Sequence, residues 1–214
     1  MLRHIKVTRA ECPEDRAAAL QVLQATYQDE KRWVQHAESQ LPESDLSSDN
    51  LSWLIAYRRG EPAGVLRVYY DPPLYTTYDI KLVRDDLDVE TFLRNNRIAE
   101  IGRFAIVPRY RRNLLIAVAL MRAATRETVE RGFTHYITDV FEDDPHSPYH
   151  FHTVVMGFDP VATHEQGELA CASRRITMIL DLKAAYQRLR HRKSWIFRSL
   201  TKDWDDQLHA RLAV

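Results

Sequence analysis

Apolar positions recur along the chain with two periods, and the switches between them mark the elements. His4 to Arg9 alternates as a first strand does, and Pro13 then opens a helical segment to about residue 32. Ala17, Leu20, Val22, Leu23 and Tyr27 form the apolar face of that helix. From Gln35 to Asn50 the pattern turns polar, with Pro42 and four serines, and predicts a surface loop. Leu51 to Arg58 and Ala63 to Tyr70 are β-rich runs joined by Arg59-Gly60-Glu61-Pro62, a hairpin that Asp71-Pro72-Pro73 ends. Between Leu74 and Asn96 the pattern is mixed: Tyr75, Tyr78 and Ile80 suggest extended chain, and Asp88 to Arg94 a short helix.

The next stretch organises the rest. Ile98 to Val107 is rich in β-branched and aromatic residues and is halted by Pro108, so it reads as a strand ending in a turn. Asn113 to Arg131 contains no Pro or Gly, keeps Leu114, Ala117, Val118 and Met121 at helical spacing, and stops at Gly132, a suitable C-terminal cap. Arg109, Arg111 and Arg112 sit where that helix begins, and unpaired N–H groups and the helix dipole there favour an anion. His135 to Phe141 follows as a strand and Glu142-Asp143-Asp144-Pro145 as a turn. Pro148 to Val155 reads as a short helix, Gly157-Phe158-Asp159-Pro160 as its stop, and Arg174 to Leu182 as a last strand. From Lys183 onward the pattern is helical. A strand–helix–strand unit in the middle requires at least two parallel strands, so the fold class is mixed α/β.

Composition narrows the function more than the fold. The 214 residues are 45% apolar and 28% charged, enough for one substantial core. Lys plus Arg equals Asp plus Glu at 30 each, so no global field selects nucleic acid or membrane, and no nucleic-acid partner is expected. Cys12 and Cys171 make neither a disulfide framework nor a metal site. The N-terminus lacks a signal-peptide core and no run reaches the roughly 20 apolar residues of a membrane span, so the expected location is cytoplasmic.

Glu100-Ile101-Gly102-Arg103-Phe104-Ala105-Ile106-Val107-Pro108, followed by Tyr110-Arg111 and a long helix, resembles the acyl-donor-binding core of the GCN5-related N-acyltransferases (GNAT). Met156-Gly157-Phe158 before a last strand resembles that family's second landmark. The Glu-x-x-Arg-Phe opening is closest to the branches that move long acyl chains, the N-acyl amino acid synthases and the acyl-homoserine-lactone synthases. The resemblance spans residues 4–182 and implies a mixed central sheet with flanking helices; the expected organisation is a GNAT-like acyltransferase domain over residues 1–182 and a basic helical C-terminal extension over 183–214. It also implies transfer of an acyl group from a thioester donor, acyl-CoA or acyl-phosphopantetheine on acyl carrier protein, to a primary amine such as an amino acid. One departure bears on the donor. Leu114 and Ile116 stand where the family's helix start carries the glycines that approach a pyrophosphate, although Arg111 matches its arginine. This tilts the expectation toward a carrier-protein or long-chain donor. It equally permits a degenerate fold that acts only as a binding module.

Attack of an amine on a thioester needs a neutral amine, donors for the developing oxyanion and an acid for the leaving thiolate. Glu100 is the candidate for orienting or deprotonating the amine; the alternative is an ion pair with Arg103 or Arg97. Arg103 faces away from Glu100 if the strand is regular. In the family's terms, backbone N–H groups at Phe104, Ala105, Ile106 and Val107 bind the pantetheine arm, and Arg111, Arg112 and Asn113 surround its phosphate. His152 stands five residues before Gly157, where the family places a tyrosine near the thiolate, with Tyr149 as fallback acid. Near-neutral titration suits His152 to that proton transfer, and the competing reading is a packing histidine under the Gly-Phe turn. His146, His150 and His164 crowd the same region without diagnostic metal spacing, so no metal is expected. Lys183 to Lys202 holds seven Lys or Arg, no Asp or Glu, and Trp195, Ile196 and Phe197. That stretch is either a solvated helix face or a surface for an acidic carrier protein or weak contact with an anionic membrane.

Overall fold

A computed structural model describes residues 5–73, 81–82, 88–165, 169–171 and 173–213. His4, Tyr75, Tyr78 and Ile80, invoked above, lie outside the described residues.

Among the described residues eight strands form one sheet: β1 (Ile5–Arg9), β2 (Leu51–Arg58), β3 (Glu61–Tyr70), β4 (Lys81–Leu82), β5 (Ile98–Ile106), β6 (His135–Phe141), β7 (Asp159–His164) and β8 (Arg175–Asp181). Their order across the sheet is β1-β2-β3-β5-β6-β8-β7-β4. Among the described residues only β5 and β6 pair in parallel, as the strand–helix–strand unit requires. The β2–β3 hairpin closes through Arg59 and Gly60, both left-handed at φ 54° and 85°, the geometry a two-residue hairpin turn needs. β7 corrects the expectation that Asp159-Pro160 belongs to a turn. Proline is tolerated there because the β7–β8 register slips between Pro160 and Ala162, so the missing N–H falls at an irregularity.

Helices cover both faces. On one lies α1 (Pro13–Leu23), opened by proline, with Glu14 and Asp15 in its first turn and Val22 and Leu23 buried against Ile55 and Val65 of the sheet. Its continuation, Gln24–Gln28, is a π turn. The loop expected at 35–50 contains two short 3₁₀ turns, Ala37–Gln40 and Glu43–Ser47. A short α2 (Val89–Asn95) precedes β5, with Asp88 accepting from the Thr91 N–H as its cap. On the other face lies α3 (Leu114–Glu130), capped by the Asn113 side chain at Leu115 N and ended by Gly132 at φ 75°. Ile116, Leu120 and Met121 are fully enclosed there with Leu66, Ile101 and Tyr136.

The C-terminal segment is continuous with that second core. It forms α4 (Leu182–His191), α5 (Trp195–Leu200) and α6 (Asp206–Ala213), and Tyr186, Leu189, Ile196 and Leu208 are buried with the α3 residues. Arg211 reaches back to the Val129 and Glu130 carbonyls, both at 2.7 Å, and so caps α3 from outside. Lys183, Arg190, Arg192, Lys193, Arg198 and Lys202 are exposed, but Arg188 turns inward. Among the described residues no helix is long and apolar enough to cross a membrane.

Candidate active site

The two parallel strands stay together for four residues only. Ile98 to Ile101 pairs with His135 to Thr138, and beyond that point β5 and β6 diverge. A cleft of about 320 Å³ fills the fork, at the carboxyl ends of the two parallel strands, where open α/β sheets place ligands. The divergence has a local cause in β5. Between Val65↔Ala105 and Arg67↔Gly102 the β3–β5 register takes one extra β5 residue, and Arg103 in that bulge has φ +51°. A non-glycine residue in the left-handed region is strained, and the bulge bends the strand away from its neighbour.

The bulge also reverses which side chains face which way. Before it, Ala99 and Ile101 belong to the α3-side core; after it, Phe104 and Ile106 pack on that side while Ala105 and Val107 join the α1-side core. Arg103 therefore lines the cleft. This corrects the regular-strand expectation, because alternation does not survive a one-residue slip.

One half of the cleft lies on the α3 side and is apolar. Phe104, Ile106, Leu114, Ala117 and Phe151 line it, together with His152. The other half opens on the α1 side and is polar and aromatic, with Tyr27, Lys31, Trp33, Asp139 and Asp144. Trp33 meets Tyr27 at 5.2 Å and Phe141 at 4.4 Å between ring centroids, and Lys31 pairs with Asp144. Burial pushes the Tyr27 phenol pKa up, partly offset by Arg103 and Arg67 nearby. Both halves receive side chains from π turns, Gln24–Gln28 and Phe151–Met156, which re-aim residues that an α-helix would place elsewhere.

Glu100 does not line the cleft. Its Oε1 accepts from Arg67 Nη2 at 2.6 Å, so the ion pair is made with Arg67 rather than with Arg103 or Arg97. Gly102 leaves room for that pair: a Cβ there would sit 3.0 Å from both Arg67 Nη2 and Glu100 Oε1. Among the backbone donors expected to meet the pantetheine arm, Val107 N–H is spent on Ala63 O at 3.0 Å. By the alternation of an antiparallel ladder, Ala105 then faces β3 and Ile106 presents its N–H and C=O to the cleft side. The arginines expected to meet the donor's phosphate are largely engaged. Arg111 grips both oxygens of Glu30, at 2.6 and 2.5 Å, and Arg109 pairs with Glu61 at 2.9 Å. That grip holds the Glu30 carboxyl pKa below the usual range. Asn113 is occupied capping α3, Ile116 is buried, and Leu114 stands half-exposed at the cleft mouth.

His152 reaches the cleft, but not as a titrating acid. It is 1% exposed, with ring centroids of Phe158, Phe151 and Phe104 at 4.8, 5.6 and 5.8 Å, and its Nδ1 is buried without a hydrogen-bond partner. Desolvation drives its pKa down to about 3, so the imidazole is neutral at physiological pH. The near-neutral titration expected of it is corrected by that burial. Its backbone meanwhile holds the Gly-Phe turn, since its carbonyl accepts from Gly157 N at 2.7 Å and Phe158 N at 2.9 Å. Tyr149, the fallback acid, is 37% exposed and is not part of the cleft wall. Of the other histidines, His164 pairs with Asp139, and among the described residues no group of His, Cys, Asp and Glu could hold a metal ion. Sequence reasoning missed Asp139, whose one signal is a carboxylate placed between Thr138 and Val140 in an apolar strand.

The profile of the acetyltransferase (GNAT) family matches residues 16–158. No curated protein matches the chain. Among solved structures, the chain resembles FeeM, an N-acyl amino acid synthase from uncultured soil microbes, at 15% identity and TM-score 0.64, covering 87% of this chain and 96% of that one. It resembles aminoglycoside 6'-acetyltransferase type Ii at 14% identity and TM-score 0.58, covering 83% and 97%. The ribosomal-protein-S18-alanine N-acetyltransferase from Escherichia coli aligns at 15% identity and TM-score 0.57, covering 83% and 94%. At such identities these likenesses bear on the fold alone.

Proposed function

Because the chain belongs to the acetyltransferase (GNAT) family, we propose that it is an N-acyltransferase that moves an acyl group from a thioester donor to a primary amine. The observation that carries this reading is the fork between β5 and β6, which joins an apolar half to a polar half through the sheet. A thioester arm entering from the α3 side meets Ile106 N–H as a strand-like partner, and its carbonyl comes to the fork where an amine can reach it from the α1 side. The apolar lining of the donor half supports a long acyl chain. Leu114 and Ile116 in place of glycines, and Arg109 and Arg111 tied to acidic partners, support a donor presented on acyl carrier protein over free coenzyme A. The mixed charge and aromatic surface of the other half supports a small amino-acid-like acceptor. Thiol release measured with decanoyl coenzyme A and with decanoyl carrier protein, alongside mass spectrometry of the amide products, tests the whole reading. Binding of both donors without thiol release would leave the binding module in its place.

Arg112 is exposed and has no acidic partner among the described residues, so it is the available cation of the basic turn. Glu30→Gln should free Arg111 as well and tighten coenzyme A binding by about fivefold, the worth of roughly 1 kcal/mol for an exposed ion pair regained on phosphate. Calorimetric titration with coenzyme A checks this. Unchanged affinity would mean that the basic turn does not meet the donor's phosphates.

A further inference from the structure

We propose that Asp139 is the carboxylate that takes the proton from the attacking amine, and that His164 and Thr177 are the positioning residues that hold it. This rests on the acyltransfer reading above.

Asp139 is the first β6 residue past the last parallel pair, Ile101↔Thr138, so it stands at the vertex of the fork. Its register partner is Thr177 on β8, and it shares a face with Phe141, which meets Trp33. That is the α1 side, across the sheet from Phe151 and His152. A base for the nucleophile belongs on the side from which the nucleophile arrives.

The carboxylate is gripped from behind and open in front. Thr177 Oγ1 donates to Asp139 Oδ1 at 2.7 Å, and His164 Nε2 lies 3.0 Å from Oδ2. The His164 side chain is 1% exposed, that of Asp139 40%. Each carboxylate oxygen keeps a second lone pair for a substrate proton. Among the described residues the other acidic groups nearby are committed: Asp144 to Lys31, Glu30 to Arg111 and Glu100 to Arg67. Among the described residues no Lys or Arg pairs with Asp139.

In the step, the amine lone pair forms the C–N bond and the C–S bond breaks with its electrons left on sulfur. The amine arrives at pH 7 as an ammonium ion and gives one proton to Asp139, which passes it to solvent, so that the lone pair is free to attack; as the amide forms the nitrogen releases a second proton to solvent, and the thiolate takes one proton from solvent. No redox partner is needed.

The test uses the full chain, decanoyl coenzyme A or decanoyl carrier protein as donor, and two nucleophiles at pH 7: a mixture of the common amino acids, and hydroxylamine, which is already neutral there. Asp139→Asn should slow acyl transfer to the amino acids by about 10²–10³-fold, the range of a positioned proton acceptor. Donor affinity and the urea midpoint should hold, and the loss with hydroxylamine should shrink to about tenfold or less. His164→Gln and Thr177→Val should each give about a tenfold loss with the same preference for hydroxylamine, a ratio that mere structural damage would not move. Glu100→Gln should stay within about threefold. Amino-acid transfer within about threefold of native in Asp139→Asn, or equal losses with both nucleophiles, overturns the assignment alone. A native protein that acylates neither nucleophile from either donor overturns the acyltransfer reading and the assignment with it.

Discussion

Lowering the pH from 7 to 5 should cost the native chain about 2 kcal/mol of folding stability, and His152→Phe should abolish most of that loss. The cause is the buried, neutral imidazole in the cage of Phe104, Phe151 and Phe158. Its pKa is about 3 in the folded chain against 6.5 for a free imidazole, so between those values the unfolded chain binds more protons. Stability therefore rises with pH across that window, is complete above about 6.5, and is lost as pH falls toward 3. From 6.5 to 5 the window spans about 1.5 pH units at about 1.36 kcal/mol each. His135, also depressed by burial, adds to the slope with the same sign. Glu30 and Glu142, held down by Arg111 and Arg174, lose their contribution only below the usual carboxylate range, outside the chosen interval. Phenylalanine removes the titration and keeps an aromatic ring, and the unpartnered Nδ1 means that no hydrogen bond is lost at that atom. His152→Leu serves as a second variant should the larger ring overfill the site. Urea midpoints at both pH values decide the matter; a variant with the native slope would show that the acid sensitivity lies elsewhere.

Much of this molecule is legible in its sequence, and what is hidden has specific causes. The hairpin, the central strand, the basic turn and the long helix follow from apolar period, from Pro108 and from Gly132, because each is decided by local chemistry. The parallel pair follows from connectivity. β7 was hidden because Asp159-Pro160 carries turn chemistry, and only pairing with β8 overrides it. The bulge at Arg103 left a trace, since the apolar positions slip phase between Ile101 and Phe104, but a slip of one residue is as easily read as noise. That slip misdirected the site residues: it puts Arg103 in the cleft wall, and the true partner of Glu100 is Arg67 on a neighbouring strand. Ion-pair partners distant in sequence, such as Glu30 for Arg111 and His164 for Asp139, leave no spacing to read. Titration is hidden for the same reason. A histidine's type suggests a proton donor near neutrality, while three aromatic rings brought together by tertiary packing decide that it stays neutral.

Gly157→Ala should destabilise the fold by about 2–3 kcal/mol, and Arg188→Ala should absorb part of that cost. Two effects meet at this glycine. Its φ of +87° lies in the left-handed region, where a Cβ costs about 1–2 kcal/mol. A Cβ there would also overlap the Arg188 guanidinium, which lies over the glycine and donates to Met156 O at the end of the π turn. Because the obstruction is the end of a flexible side chain, Arg188 can retreat, but it then gives up that carbonyl, a loss of about 1 kcal/mol. Arg188→Ala alone should cost about that same amount. The double variant should fall short of the sum of the singles by about 1 kcal/mol, since the bond can be lost only once. The cycle also joins three parts of the chain. The turn ends the segment that carries Phe151 and His152 into the cleft, and Arg188 belongs to the C-terminal helices. Gly157→Ala should therefore lower thiol release as well as the urea midpoint, through a helix end that no longer holds its position. Strict additivity in the cycle would mean that Arg188 does not rest on Gly157 in solution, and that the C-terminal segment supports α3 without steadying the cleft.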